Sequence, residues 1–154
     1  MTIMANDGTR QRRRRANVPP DDACPSCGIL MNEKRGWLRV PVNGDEVSVP
    51  DVPHLKCPAC PEVVLRLGDA RQLDREAIVR YRRKRGLLTA EEIRALRQRL
   101  GLTQGRLARL LGLGVNTVSR WEAGRNAQSV ALDVLLRLVR DVPGSLRYLR
   151  SRAA

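Results

Sequence analysis

The spacing of apolar residues changes along the chain. Trp37-Leu38-Arg39-Val40-Pro41-Val42 and Glu46-Val47-Ser48-Val49 alternate around Asn43-Gly44-Asp45. Alternation with an Asn-Gly step predicts a β-hairpin. Val63 to Leu67 is apolar enough to add a third strand. From Asp69 the period lengthens to that of a helix. Asp69 and Gln72 read as a capping box, and Leu73, Ala77, Ile78 and Tyr81 form one stripe. Arg82 to Arg85, followed by Gly86, suit the negative end of that helix. Thr89 with Glu92 reads as a second capping box ahead of Ile93, Leu96 and Leu100, with a stop at Gly101. Thr103 caps a short helix through Leu111. A turn at Gly112-Leu113-Gly114 leads to a helix from about Val115 to Ala123, ended by Gly124. Ala131 to Arg140 has a broad apolar face of Leu132, Leu135, Leu136 and Val139, and Pro143 starts a last short helix with Leu146 and Leu149.

The pattern predicts a mainly α chain in four parts. Residues 1–22 form a disordered arm, 23–67 a small hairpin domain, 68–86 a basic linker helix and 87–154 a five-helix bundle.

Charge sharpens this division. The net charge is +13, spread as +4 over residues 1–20, −2 over 21–67 and +11 over 68–154. Such an excess points to a polyanion, either nucleic acid or an anionic membrane surface, with a merely solvated arginine-rich surface as the plain alternative. No apolar run is long enough to span a bilayer, and Ala16-Asn17-Val18-Pro19-Pro20 comes after the arginine run where a signal peptide needs an apolar core. A cytoplasmic protein is expected. Phenylalanine is absent and aromatic residues make up 3%, which argues against the stacking platforms used on single strands.

The hairpin segment holds the four cysteines, as Cys24-Pro25-Ser26-Cys27 and Cys57-Pro58-Ala59-Cys60. In a reducing compartment paired C-x-x-C turns suggest metal before disulfides. Two such turns complete a sulfur tetrahedron, with zinc as the expected ion and a structural role, since no coordination position is left for water or substrate. So small a segment needs such a staple, because it buries little apolar area. Rubredoxin-like iron, a thiol oxidoreductase and disulfides are the rival readings. His54, three residues before Cys57, is expected at the surface or behind a ligand.

Residues 102–124 have the layout of a helix-turn-helix. Ala108 is small where two helices cross, Gly112 takes the turn, and Val118 and Trp121 face inward beside Leu107 and Leu111. That leaves Asn116, Thr117 and Arg120 to reach base edges, as Asn pairs with adenine and Arg with guanine in the major groove. Gln104, Arg106, Ser119 and Arg125 are placed to meet phosphates, and Arg109 adds sequence-blind attraction. The alternative is a bundle whose polar face is simply hydrated. Gly105 weakens the helix before the turn by about 1 kcal/mol against alanine. No general-base constellation, glycine-rich phosphate loop or open metal position suggests an enzyme.

Gln104, Ala108, Gly112, Val118, Ser119, Trp121, Glu122 and Gly124 resemble the pattern of the Xre/lambda-repressor-type helix-turn-helix family. That likeness implies an ion pair between Arg97 and Glu122. The order of cysteine pair, hairpin, cysteine pair, basic helix and bundle resembles the MqsA/YgiT-type antitoxins over about residues 24–145, and Gly114-Val115-Asn116-Thr117-Val118-Ser119-Arg120 is similar to that family's base-reading element. The resemblance implies a homodimer formed by the C-terminal domain, a palindromic operator in its own promoter, and a zinc domain that contacts a RelE-like ribonuclease toxin. The arginine-rich arm departs from the family pattern. A stand-alone regulator with no toxin partner is the alternative.

Overall fold

The computed structural model describes residues 21–152, so most of the expected arm lies outside the described residues. Among the described residues there are three strands, β1 (Asn32–Val42), β2 (Asp45–Lys56) and β3 (Val63–Val64), and six helices: α1 (Leu67–Arg85), α2 (Ala90–Arg99), α3 (Gln104–Leu110), α4 (Thr117–Glu122), α5 (Val130–Asp141) and α6 (Ser145–Arg152).

The strands form one antiparallel sheet in the order β1-β2-β3. Asn43 and Gly44 make the turn, with φ of 49° and 87°. Two successive left-handed residues match the twist of the strands, which is why Asn-Gly works there. The hairpin is longer than its alternating stretch, reaching back to Asn32 paired with Lys56, with an irregularity between Gly36 and Leu38. That extension brings the chain from one cysteine pair to the other.

Two separate cores lie along the sheet. Val42, Val47, Val49 and Val52 pack beneath Leu73, Ala77, Ile78 and Tyr81 of α1, together with Leu87 and Ala127. At the other end Met31 and Leu55 pack with Cys24 and Cys57. Thus α1 covers the hairpin as well as connecting it to the helices of the C-terminal part.

The start of α1 corrects the expected capping box. The helix begins at Leu67 behind Arg66, and no side chain caps it. Gln72 bonds Glu76 instead, at 3.1 Å. Arg66, just before the helix, pairs with Glu33 at 2.7 Å and Asp22 at 3.4 Å. The other caps behave as their sequences suggest. The Thr89 hydroxyl accepts from the Glu92 N–H and the Glu92 carboxylate accepts from the Thr89 N–H; Thr103 accepts from Arg106. Ser129, two residues before the expected helix, caps α5 by accepting from Leu132. α4 starts at Thr117 and α6 at Ser145, each two residues later than the apolar pattern suggests.

The helical part has its own core of Leu88, Ile93, Leu96, Leu107, Ala108, Val118, Trp121 and Leu136. It is joined to the sheet unit by Leu87 and Ala127, which pack in the hairpin's core, and by polar groups. Asn43 donates to the Ala127 carbonyl at 3.2 Å, and the buried Gln128 amide donates to the Leu88 carbonyl and to Asp133. Asp133 also accepts from the Leu88 N–H at 2.7 Å and from Arg137. Buried polar groups are tolerated only when satisfied, and no buried side-chain polar atom lacks a partner among the described residues.

Candidate metal centre and nucleic-acid interface

The first cysteine turn is held by backbone bonds. Cys24 N–H donates to the Ile29 carbonyl and Gly28 N–H to the Cys24 carbonyl. Cys57 leaves the end of β2 and closes the second turn by donating to Glu62. These loops bring all four sulfurs within 4.8 Å of one another. Cys24 Sγ lies 3.5 Å from Cys60 Sγ, and Cys27 Sγ lies 3.5 Å from Cys57 Sγ and 3.8 Å from Cys60 Sγ. Metal–thiolate bonds of about 2.3 Å in a tetrahedron place sulfurs about 3.8 Å apart, so the cluster fits one ion with little movement.

The electrostatics favour a cation. The Ala59 N–H aimed at Cys57 Sγ pulls that thiol down to about 7. At Cys60 the Glu62 backbone N–H also lowers the value, but hydrogen bonding to Cys57, burial and the other thiols outweigh it and push the group up to about 12. Four neighbouring sulfurs cannot all ionise alone; a bound cation removes that conflict. His54 stands apart from this cluster, with Nδ1 2.9 Å from the Val52 carbonyl.

The second site lies on α3 and α4. Val118, Trp121 and Glu122 are buried, which fixes α4 against α2 and α3. Asn116 precedes α4 and Arg120 lies one turn later; both are exposed, with Thr117 half-buried between them. Arg106, Arg109 and Arg125 are also exposed. None of these arginines, nor Arg120, forms an ion pair among the described residues. The Ser119 hydroxyl donates to the Asn116 carbonyl at 2.9 Å, tightening the start of the helix.

Glu122 organises the helices. Its carboxylate accepts two bonds from Arg97, at 2.5 and 2.9 Å, and one from Gln104 at 2.8 Å. Arg94 donates to its carbonyl at 3.0 Å. Burial alone would raise the Glu122 carboxyl, but the bonds from Arg97 and Gln104 hold it below the usual range. Gln104 therefore has one amide N–H on Glu122 and no other side-chain hydrogen bond among the described residues.

Sequence reasoning missed Arg82, Gln128 and Asp133. Arg82 reads as one of four basic residues at a helix end, yet it alone of them is buried. It donates to the Gln128 side chain and to the carbonyls of Trp121 and Asn126. The signal was present, because Arg82 falls on the stripe of Ile78 and Tyr81.

Fold and sites together define a two-part protein, a four-cysteine metal centre on a helix-covered hairpin followed by a helical bundle with an exposed Asn/Arg face. The family model described as the antitoxin component of bacterial toxin-antitoxin systems, MqsA, matches residues 22–150, and the chain belongs to that family. A comparison with curated proteins gave no match. No helix among the described residues is long and apolar enough to cross a membrane.

Proposed function

We propose that the chain is an antitoxin that represses its own operon, with α3 and α4 acting as a helix-turn-helix on duplex DNA and zinc holding the cysteine end. Asn116, Thr117 and Arg120 read bases. Gln104, Arg106, Ser119 and Arg125 meet phosphates. The observation that carries this reading is one helix with two faces. Val118, Trp121 and Glu122 anchor α4 in the core, while the exposed Asn116 and Arg120 project groups suited to adenine and guanine. The ligand set of Cys24, Cys27, Cys57 and Cys60 suits zinc in a closed, structural site. A homodimer through the C-terminal domain is supported by Val130, Val134 and Leu138, exposed at four-residue spacing along α5.

Selection from a pool of randomised duplexes should enrich one palindromic sequence family. Asn116→Ala or Arg120→Ala should then reduce the preference for that duplex over a scrambled one by roughly 10- to 100-fold, leaving weak general binding. Full preference in both variants would overturn the recognition helix.

The antitoxin half of the reading rests on the family and is supported by Ile29, Leu30 and Val63, apolar and exposed around the cysteines, a surface suited to a protein partner such as a small ribonuclease toxin. The small reading frame beside this gene, induced alone, should arrest growth, and co-expression of this chain should relieve the arrest. No arrest, or arrest without relief, would remove toxin neutralisation and leave the DNA reading in place.

A further inference from the structure

Arg82 is a buried cation that meets no carboxylate. It is 4% exposed and forms no ion pair among the described residues. Its guanidinium donates to neutral oxygens instead: the Gln128 side chain at 3.2 Å, the Trp121 carbonyl at 3.0 Å and the Asn126 carbonyl at 3.2 Å. Burial opposes the charge and pulls the guanidinium below its usual range, against the fields of Glu91 and Asp133. Packing alone does not call for an arginine here. The position continues the stripe of Ile78 and Tyr81, and an apolar side chain would fill it without the cost of burying a charge. What the guanidinium supplies is a rigid fork with several donors at fixed angles.

The oxygens it binds lie at the end of α4 and in the segment that follows. Trp121 and Glu122 close α4, and their carbonyls are held from two different helices: Trp121 by Arg82 of α1, Glu122 by Arg94 of α2. A cation at that end also suits the negative pole of the helix. Asn126 is held by Arg82, and the next two residues are held by Asn43 of the hairpin turn, which donates to the Ala127 carbonyl at 3.2 Å and the Gln128 carbonyl at 3.4 Å. Arg120 stands one residue before Trp121, and its carbonyl accepts from the Arg125 N–H at 2.9 Å.

We propose that Arg82 is a positioning residue for base reading: from the helix that covers the hairpin it fixes the end of α4, and with it the placement of Arg120, while touching no DNA itself. The proposal rests on the DNA-binding reading above and deepens it. A two-bond contact to a base edge tolerates little displacement, because both bonds must keep their angles. Attraction to phosphates varies slowly with position. Loosening the end of α4 therefore removes discrimination before it removes affinity.

The test is binding by the full chain to the duplex enriched in the selection and to its scrambled counterpart. Arg82→Met keeps the aliphatic stem and removes all three bonds. The ratio of the two affinities should fall by about 5- to 10-fold, with affinity for the scrambled duplex nearly unchanged. Amide hydrogen exchange should speed up from Trp121 to Asn126. Leu73→Ala, which opens the hairpin core on the same helix, is the comparison for lost stability: it should lower the melting temperature and leave the ratio as in the wild type. Should Arg82→Met fail to fold, Arg82→Lys carries the same comparison with a smaller fall in the ratio, since its ammonium keeps the charge without the fork. An unchanged ratio in a folded Arg82 variant, or an equal fall in Leu73→Ala, would overturn the positioning role and leave the recognition helix intact. A wild-type chain for which the selection enriches no duplex would overturn that role and the DNA reading together.

Discussion

Replacing Cys57 with serine should strip the metal and unfold one end of the hairpin while the other end stands. The metal-to-protein ratio should fall from about one to near zero, because serine oxygen is a poor substitute for thiolate in a tetrahedral sulfur site. The energetic stake is large, as closed zinc sites of this kind contribute on the order of 10 kcal/mol to the folding of the segment they hold. The loss stays local because the sheet has two cores. Met31 and Leu55 cluster with the cysteines and the partly buried Val64, so residues 23–31 and 55–64 have few apolar contacts beyond that cluster. Val47, Val49 and Val52 are covered by α1 through Leu73, Ile78 and Tyr81, and that cover does not depend on the metal. Amide hydrogen exchange should show lost protection at the cysteine end and retained protection from Val42 to Val52 and through α1. Chelation of the wild-type protein should give the same map. Protection lost evenly across the hairpin and α1 would show that the metal supports the whole unit; protection unchanged at the cysteine end would show that it supports none of it.

Much of this architecture is legible in the residues, for identifiable reasons. The Asn43-Gly44 turn, the Thr89 and Thr103 caps and the paired cysteine turns depend on nearest neighbours, and local chemistry settles them. The start of α1 was not legible. Asp69 and Gln72 offered a local cap, but the helix begins at Leu67 without a side-chain cap, and Arg66 just before it pairs with the distant Glu33 and Asp22. The stripe on α1 was visible without its partner, since periodicity says which face is buried and not what buries it. Arg82 shows the same limit within one run: its neighbours Arg83, Lys84 and Arg85 are exposed, and only its place on the stripe separates it from them. Gln128 and Asp133 belong to a buried polar network that adds to the apolar packing between the two units, with Arg82 reaching Gln128 across the junction, and no simple apolar pattern encodes such a network. For the proposed DNA face the residues gave positions, while the structure supplied the reason α4 is held still: Glu122 binds side chains from both α2 and α3.

That last arrangement makes Glu122→Ala the most damaging single change expected in the bundle. The Glu122 side chain is 1% exposed and that of Arg97 15%. Removing the carboxylate leaves the Arg97 guanidinium largely buried with no counter-charge, and strips Gln104 of its acceptor. Breaking a buried pair in this way costs about 3–5 kcal/mol, a large share of the stability of a small domain. Denaturant unfolding measures it directly, and a loss below about 1 kcal/mol would mean that the pair is effectively solvated. The double change Arg97→Met with Glu122→Leu should recover part of the loss, because two apolar groups impose no charge penalty. Stability should also depend on pH. The Glu122 carboxyl is held below its ordinary range in the folded chain, so the unfolded chain takes up its proton first as pH falls. The stability it contributes is present in full above the ordinary glutamate range, near about 4.3, and is lost as pH drops through the lower folded value. Asp133, lowered by Arg137 and the Leu88 N–H against its own burial, acts with the same sign. Glu122→Gln should therefore flatten, without abolishing, the acid limb of the stability curve. An unchanged acid limb in that variant would show that Glu122 contributes none of the pH dependence.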